Sequence, residues 1–275
     1  MTVAQGEKGP QQVAAGKEEK SRWWRPLRYL WSTWGMSWMV LLTIPLALAV
    51  IMAGALRVGE NKLQWAPRAW ARLLMWGIKC RVRLIGGENL EPGESYVFAG
   101  NHASALDIPS LQSVMPKNFR WVAKKELFSI PLFGPALGSI GNIPIDRSVG
   151  RQAMHSLILA SQRVSDGASV VIFPEGTRSE DGKLLPFKSG GFLLAIKSGR
   201  PVVPFYLHGT RQALANDRYL LDPGPIEVIL GEPISVEGFK TGQREDLSDV
   251  VRERILALQD KAEEAPPVDS PLSAA

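Results

Sequence analysis

The longest apolar segment of the chain lies near its N-terminus. Residues 35–56 read GMSWMVLLTIPLALAVIMAGAL and contain no charged side chain. At 1.5 Å per residue, a helix of this length spans about 33 Å, which is close to the hydrocarbon thickness of a bilayer. Aromatic and basic residues precede it, a mixture typical of a helix end at the membrane interface. They are Arg22, Trp23, Trp24, Arg25, Arg28, Tyr29, Trp31 and Trp34, and Trp38 follows in the first turn of the segment itself. The segment is therefore predicted to lie in lipid.

The charge pattern leaves two ways in which this segment could enter the membrane. Lysine and arginine are nearly balanced on its two flanks, so they do not select a conventional spanning orientation. The other arrangement is a helix that dips into one leaflet, bends near Pro45 and returns. Residues 63–78 favour it, because Trp65 and Trp76 alternate with cations as in an interfacial helix. The alternative for that segment is an ordinary surface helix. We favour a membrane-embedded helical hairpin over residues 21–78.

Beyond residue 79, apolar runs of strand length alternate with helical patterns. Strands are predicted at 79–85, 96–100, 120–123, 169–173, 202–207 and 226–230, and helices at 148–164 and 190–198. Such alternation is typical of an α/β fold, with a mostly parallel central sheet flanked by helices. This domain is predicted to occupy residues 79–261.

Composition limits the remaining possibilities. Residues 1–20 and 262–275 have few large apolar side chains and are predicted to be disordered tails. The 275 residues, 45% of them hydrophobic, suffice for one main domain. The net charge of +5 favours an anionic partner without choosing among lipid, phosphorylated substrate, coenzyme A and nucleic acid. One cysteine, Cys80, excludes an internal disulfide and a thiolate metal cluster, and is typical of a reducing compartment.

A histidine and an aspartate follow the predicted strand at 96–100, in the sequence NHASALD. In a continuous helix, His102 and Asp107 would point about 140° apart, so a turn must intervene. Ser104 as helix N-cap, with Asp107 in a capping box, would fold His102 back towards the carboxylate. The carboxylate would then orient the imidazole and stabilise its charge when the ring takes a proton from a hydroxyl. The alternative is that Asp107 only caps a helix and His102 fills a loop.

A second polar motif, FPEGTRS, follows the apolar strand predicted at 169–173. Its glycine permits a close backbone approach, and an arginine suits a phosphate. Strand ends of open α/β sheets are where binding sites are built. Taken alone, the motif could also be a structural turn in which Glu175 and Arg178 pair.

Four sequence blocks occur in order over about residues 95–210. They are NHASALD, then AKKELFSIPLFGPALGSIGNIPIDR, then FPEGTRS with PFKSGGF, and finally RPVVPFYLHG. Together they resemble the 1-acyl-sn-glycerol-3-phosphate acyltransferase family. The resemblance implies that His102 is a general base for the glycerol hydroxyl and that Asp107 orients it. The activated oxygen would attack the thioester of acyl-CoA or acyl carrier protein, without a covalent acyl-enzyme, a cofactor or a metal.

The resemblance also implies a binding pocket for the phosphate of the acceptor. Its expected residues are Arg147, Glu175, Gly176, Thr177 and Arg178. Lys124 and Lys188 are further candidates for phosphate or carrier contact, and both could equally be solvated surface lysines.

The implied reaction puts an acyl chain on the sn-2 hydroxyl of lysophosphatidic acid, making phosphatidic acid for phospholipid biosynthesis. Other lysophospholipids, a lyso-aminolipid or glycerol 3-phosphate are alternative acceptors. The substrate would be a membrane lipid, met at the cytoplasmic face of the inner membrane. Rival classes fit less well, because Gly-x-Ser-x-Gly and nucleic-acid recognition motifs are missing from the sequence. A silent lipid-binding protein is disfavoured because His102 and Asp107 are both present.

Overall fold

A computed structural model of the protein describes residues 10–116, 118–146, 151–215 and 220–264, with side chains from Pro26 and, in the third range, from His155. The helices are α1 (Pro10–Ala55), α2 (Trp65–Gly77), α3 (Asp107–Val114), α4 (Phe133–Ser139), α5 (Arg151–Ser165), α6 (Gly190–Ser198), α7 (Thr210–Ala213) and α8 (Arg244–Glu264). The strands are β1 (Arg81–Ile85), β2 (Val97–Gly100), β3 (Phe119–Lys124), β4 (Ile143–Ile145), β5 (Ser169–Ile172), β6 (Val202–His208) and β7 (Pro225–Leu230). A short 3-10 turn, Lys125–Ser129, joins β3 to the segment before α4.

The strands form one sheet in the order β1-β7-β6-β2-β5-β3-β4 across the described residues. Neighbouring strands are parallel except for β6 and β7, which are antiparallel. Ala99 of β2 pairs with Ile172 of β5 on one side and with Pro204 of β6 on the other. The carboxyl ends of β2 and β5 therefore meet at one edge of the sheet, where sites form in such folds. This arrangement brings the NHASALD and FPEGTRS motifs together.

Helices cover both faces of the sheet, as buried parallel strands require. Every residue of β2 and of β5 is buried. One face packs against α5, α6 and α8 through residues such as Ala160, Phe192 and Val251. The other face packs against α3, where Leu111 meets Phe98. The predicted α/β class with a mostly parallel sheet is thus confirmed.

The six predicted strands are all present, with bounds that differ by at most two residues. The predicted helix 190–198 coincides with α6, and the other corresponds to α5. The elements that were not predicted include the short helices α4 and α7, the strand β4 and the helix α8. The edge strand β4 contains Pro144, which removes a ladder donor and weakens the strand pattern. Helix α8 buries Leu247, Val251 and Ile255 at a helical spacing that the sequence analysis overlooked.

Helix α1 does not turn back near Pro45, as the predicted hairpin within this segment requires. It continues through this proline to Ala55, although the ring removes one backbone donor. The helix contacts its neighbours before and after Pro45. Trp70 Nε1 donates to Thr43 Oγ1 at 3.0 Å, and Val50 packs in a buried cluster with α2 and α4 residues. The part from Pro26 to Ala55 is long and apolar enough to cross a membrane by length and composition, and only 11% of its most apolar window is buried.

The two segments predicted to be disordered tails are partly helical in the structure. Residues 1–9 and 265–275 lie outside the described residues. Helix α1 begins at Pro10, so residues 10–20 are helical where the sequence predicted disorder. Proline suits a first helical position, and the alanine, glutamine, lysine and glutamate that follow are good helix formers. Helix α8 likewise continues to Glu264.

Helix α2 packs on the domain, as the surface-helix interpretation of residues 63–78 predicted, and the interfacial interpretation stays a prediction. It packs on the α/β domain through Ala71, Leu74 and Met75, which are buried. Its opposite side exposes Trp65 and Trp76, whose exposed fractions are 59% and 74%. One side of the helix therefore packs on the domain, and the other side presents large aromatic side chains at the surface.

The cations and tryptophans of this region make specific polar contacts between helices. Arg68 and Arg72 donate to the carbonyls of Met115 and Ser113 at 3.1 and 3.0 Å, at the end of α3. Terminal carbonyls of a helix have no partner within it, so these bonds cap α3. In the same way, Trp34 and Trp38 of α1 donate to carbonyls in the last turn of α2, Gly77 and Leu73, at 3.0 and 2.9 Å.

Candidate active site

Asn101 fixes the start of the loop that follows β2. Its side-chain Nδ2 donates to the Leu207 carbonyl at 3.1 Å, and its Oδ1 accepts from the Leu207 N–H at 2.7 Å. The side chain thus continues the pairing of β2 with β6 beyond the last strand residue. The sequence analysis did not single out this residue, although it opens the NHASALD block.

His102 and Asp107 are brought together by a tight turn. The His102 Nδ1 and Asp107 Oδ2 atoms are 2.7 Å apart. The same Oδ2 accepts backbone N–H bonds from Ala103 at 2.8 Å and Ser104 at 2.9 Å. The Asp107 side chain is fully buried, whereas that of His102 is 17% exposed. A buried carboxylate needs such donors to offset its lost hydration, and here three of them converge on one oxygen.

Ser104 has a different role from the predicted helix N-cap. Helix α3 begins at Asp107, with Leu106 as its flanking residue and no side-chain cap. The Ser104 hydroxyl accepts from the Leu106 N–H at 3.1 Å and donates to the Leu214 carbonyl at 2.7 Å. The bond from the Ser104 N–H to Asp107 is the part of the predicted capping box that forms. The Ser104 hydroxyl therefore connects this turn to the residue that follows α7.

The imidazole of His102 is also held by aromatic packing. It stacks on Phe173, the first residue of FPEGTRS, with ring centroids 4.0 Å apart and planes 10° apart. Trp121 of β3 stacks on the far side of this pair, 5.9 Å from Phe173. A carboxylate only accepts, so Nδ1 carries the hydrogen and Nε2 carries the lone pair. Nε2 has no hydrogen-bond partner among the described residues, so it is available to take a proton from a substrate.

Glu175 joins the two motifs rather than lining a free pocket. Its Oε1 accepts the His102 N–H at 2.7 Å, and its Oε2 accepts the Leu185 N–H at 2.9 Å. The residue is only 3% exposed, and burial raises the pKa of its carboxyl, an effect that the two backbone N–H bonds oppose. Both oxygens are engaged, and a carboxylate would repel a phosphate. Direct phosphate contact, as expected from the sequence, is therefore unfavourable for Glu175.

The loop after Glu175 is tied back to the same turn. The Ser179 N–H donates to the His102 carbonyl at 2.7 Å. Arg211, which the sequence analysis missed, donates from Nε and Nη2 to the Glu180 carbonyl at 3.1 and 2.7 Å. Its only sequence signal was its place two residues after the end of the fourth block. These bonds set the position of the exposed part of FPEGTRS.

Lys188 and Arg178 are the free cations of the site. Gly176 has a φ of 73°, and a Cβ there would lie 2.9 Å from Lys188 Nζ, so the lysine side chain lies across this glycine. The Lys188 N–H donates to the Pro174 carbonyl at 2.8 Å. Thr177 and Arg178 are exposed. Within the described part of the chain, neither Lys188 nor Arg178 pairs with a carboxylate, and Arg178 does not form the alternative pair with Glu175.

A cavity of about 280 Å³ lies beside Lys188. Phe173, Gly176 and Lys188 line one side, and Gly190 and Gly191 of the first turn of α6 line another. Backbone N–H groups at a helix N-terminus favour an anion, so the lysine and the helix end act in the same direction. Asp146 also borders the cavity, whereas Arg147, the next residue, lies outside the described residues.

The remaining candidate cation, Lys124, is placed differently. It lies at the end of β3, is 55% exposed, and pairs with Glu126 at 3.8 Å. It does not border the cavity beside Lys188. Among the described residues, no group of three or more His, Cys, Asp or Glu side chains is arranged to hold a metal ion.

A second, apolar cavity of about 140 Å³ lies between α1, α2, α3 and α4. Leu46 and Val50 of α1, Ile108 of α3 and Phe133 of α4 contribute to its lining. Trp121 lines it as well, and its indole N–H bonds to Gln112 at 2.9 Å. Trp121 also stacks on Phe173, which itself stacks on the His102 ring.

Sequence comparison identifies the relatives of this chain. The Acyltransferase family model matches residues 81–208, which include both motifs. The mouse 1-acyl-sn-glycerol-3-phosphate acyltransferase alpha is 31% identical over 223 residues, 80% of this chain and 77% of the mouse protein. The chain belongs to the acyltransferase family. A chloroplastic 1-acyl-sn-glycerol-3-phosphate acyltransferase of Brassica napus is 37% identical over 169 residues. That match covers 61% of this chain and 48% of the plant protein, so the chain spans about half the length of this relative.

A solved structure of the same family shares the fold. The crystal structure of the 1-acyl-sn-glycerophosphate acyltransferase PlsC from Thermotoga maritima matches with a TM-score of 0.76 and 22% identity. The match covers 89% of this chain and 99% of the other. Most of the described architecture, and not only the sheet, is thus similar in this acyltransferase.

Proposed function

We propose that the protein transfers an acyl chain from acyl-CoA or acyl carrier protein to the sn-2 hydroxyl of 1-acyl-sn-glycerol 3-phosphate, making phosphatidic acid. The observation that carries this proposal is the His102–Asp107 pair, with Nδ1 bound to the carboxylate and Nε2 without a partner among the described residues. A general base in this state is suited to a hydroxyl acceptor. Similarity to relatives named for this substrate supports the choice of acceptor.

The proposed reaction needs one base and an activated acyl donor. Nε2 of His102 takes the hydroxyl proton as the oxygen attacks the thioester carbonyl, while Asp107 stabilises the imidazolium. The C–S bond then breaks, and the imidazolium returns the proton to the departing thiolate. The acyl group passes directly to the acceptor oxygen, so neither a covalent acyl-enzyme nor a metal or cofactor is required.

The acceptor phosphate is proposed to bind in the cavity beside Lys188. Lys188 and Arg178 supply positive charge and pair with no carboxylate among the described residues, Asp146 borders the cavity as well, and the first turn of α6 supplies backbone N–H groups. Arg147 is retained as a third phosphate ligand on the family resemblance alone. Gly176 contributes by leaving room for the Lys188 side chain. Thr177 is exposed beside Arg178 and remains a candidate donor.

One acyl chain is proposed to occupy the apolar cavity between α1 and α3. Its lining is almost entirely apolar, and it begins at the lipid-facing helix and ends at Trp121. Ile108, which lines it, directly follows Asp107 in the sequence. A lipid could therefore keep its chain in an apolar environment while its glycerol hydroxyl reaches His102.

The membrane attachment is proposed to be one-sided, with α1 lying along the domain. From Pro26 onward, where its side chains are described, its contacts with the rest of the chain extend from Arg28, which pairs with Asp222, to Gly54, which packs against Ser139. These positions are about 39 Å apart on a helix axis, more than the hydrocarbon thickness of about 30 Å. A helix held at both ends by one polar domain does not put those ends on opposite sides of a bilayer. The cytoplasmic face is proposed from the single, buried Cys80.

The decisive experiment is an acyl-transfer assay of the purified, full-length protein. The acceptors would be lysophosphatidic acid, two other lysophospholipids, a lyso-aminolipid and glycerol 3-phosphate, each with acyl-CoA and with acyl carrier protein. We expect lysophosphatidic acid to have the highest kcat/KM with at least one donor. A higher value for another acceptor would replace the substrate, and no transfer with any pair would contradict the enzymatic proposal.

A further inference from the structure

A second apolar surface lies outside the two N-terminal helices. It consists of Leu127, Ile130 and Phe133, whose exposed fractions are 36%, 44% and 38%. These residues belong to the 3-10 turn Lys125–Ser129, the connection after it and the first turn of α4. We call this set the apolar lip. Three large apolar side chains exposed within seven residues are more than the scattered exposure that a soluble surface usually shows.

The backbone holds the lip in an unusual conformation. Leu132 has φ 67° and ψ −52°, and the Phe133 N–H bonds back to the Pro131 carbonyl at 2.8 Å. This is a classic-type γ-turn, which is rare and strained for a residue with a side chain. The turn is retained because Gly134 bonds to the Ile130 carbonyl at 2.8 Å and approaches the Phe128 carbonyl closely. These hydrogen bonds fix the strained turn that connects Ile130 to Phe133.

The lip is continuous with the apolar face of α1. Helix α4 packs on α1 so closely that a Cβ at Gly54 would lie 2.6 Å from the Ser139 hydroxyl. Phe133 lines the same apolar cavity as Val50. On α1, Met52 is 65% exposed, which places another large apolar side chain on the helix that bounds this cavity. The lip thus reaches the apolar cavity through Phe133.

We propose that the apolar lip inserts into the same lipid leaflet as α1 and forms the far edge of the entrance through which lipid reaches the apolar cavity. The proposal rests on the membrane attachment described under the proposed function. Lys124 and Lys125 precede the lip and are 55% and 66% exposed, so they lie where anionic headgroups would be. Each also has a carboxylate partner, Glu126 or Asp146, within 4 Å, which leaves apolar insertion as the main contribution. The proposed partner is a bilayer surface containing anionic phospholipid.

Lipid-borne quenching tests the depth of the lip directly. Cys80 is buried, so a thiol-reactive fluorophore can be directed to a new cysteine in Ile130→Cys. Met52→Cys on α1 is the positive control, and Leu159→Cys on α5, 48% exposed on the other face of the sheet, is the matched negative control. The unsubstituted protein measures background labelling. The vesicles contain phosphatidylethanolamine, phosphatidylglycerol and a phospholipid with a nitroxide on its acyl chain.

We expect quenching at positions 130 and 52 and none at 159. Quenching at 52 without quenching at 130 would overturn the lip proposal and leave the attachment through α1 intact. No quenching at either position would instead contradict the membrane placement on which the proposed function depends. The two failures are therefore distinguishable.

A kinetic comparison tests the role of the lip in substrate entry. The double variant Leu127→Asp/Ile130→Asp is compared with Leu159→Asp/Val250→Asp, whose residues are 48% and 37% exposed. We expect kcat/KM for lysophosphatidic acid in vesicles to fall about tenfold in the first variant, because carboxylates would replace the apolar side chains that the proposal places in the lipid leaflet. With a short-chain, water-soluble lysophosphatidic acid, both variants should match the unsubstituted protein. Equal losses with both substrates, or a change in oligomeric state, would assign the lip to the fold or to contact between copies and overturn the proposal.

Discussion

His102 and Lys188 lie on adjacent loops at one edge of the sheet, yet their surroundings differ. The His102 side chain is 17% exposed, bonds to a buried carboxylate and stacks on Phe173. Lys188 is exposed and has no carboxylate partner among the described residues. A base needs a fixed tautomer and orientation before substrate arrives, because reorganisation during reaction raises the barrier. A phosphate-binding cation must instead keep its charge uncommitted until the ligand supplies the counter-charge.

Removing the general base, His102, should lower the rate of acyl transfer more than any other substitution in the site. His102→Ala is expected to lower kcat by about 10³-fold or more, since general base catalysis commonly contributes 10²–10⁴-fold. Acyl transfer by the purified variant measures this, and flotation with vesicles should be unchanged. His155→Ala, at an exposed position on α5, is the control and should retain activity. An active His102→Ala variant would overturn the assigned mechanism.

Substituting the orienting carboxylate should have the next largest effect. Asp107→Asn preserves shape, but its amide no longer supplies an anion for the imidazolium and can impose the wrong tautomer. We expect kcat to fall about 10²–10³-fold with little change in KM. Asp166→Asn, at an exposed position after α5, is the matched control. A fall confined to KM would show that Asp107 acts on binding and not through His102.

Substituting Lys188, a cation unpaired among the described residues, should mainly change the binding of the acceptor. Lys188→Ala removes one charge-assisted contact, so we expect the KM for lysophosphatidic acid to rise about tenfold while kcat changes less. With a monoacylglycerol acceptor, which has no phosphate, variant and parent should behave alike. Lys183→Ala is the control, because that lysine is 87% exposed and lies 3.9 Å from Asp181. A loss of the same size with both acceptors would contradict phosphate binding by Lys188.

Glu175, which joins the His102 loop to the FPEGTRS loop, should give the smallest effect when it is substituted, and the effect should appear in the free energy of unfolding. Glu175→Gln is expected to lower the free energy of unfolding by about 1–3 kcal/mol, because its amide cannot accept both backbone N–H groups. Burial raises the pKa of Glu175 in the folded state, so its favourable contribution is complete below the ordinary glutamate pKa and is lost as pH rises through the folded value. The stability difference between parent and variant should therefore shrink as pH rises. Urea unfolding of both proteins between about pH 4.5 and 7 measures this, and a constant difference would contradict it.

Local patterns were sufficient for several features of this chain. The strand runs, the helix at 190–198 and the long apolar segment follow from burial periodicity, which each segment carries in its own sequence. The pairing of His102 with Asp107 was also accessible, because five residues and one turn determine it. The resemblance over four blocks indicated the family and the reaction.

The tertiary structure decided which groups are shared between distant segments. Glu175 was expected beside a phosphate, but the adjacency of β2 and β5 makes it the acceptor for the His102 N–H. Asn101 and Arg211 gained their roles in the same way, through partners about 106 and 31 residues away in the chain. Periodicity reports whether a side chain is buried and not which loop lies next to it, because strand order depends on the packing of the whole sheet. For the same reason, the sequence was enough to predict that the apolar run lies in lipid. Its position along the α/β domain is known only from the contacts between Arg28 and Gly54 in the folded chain.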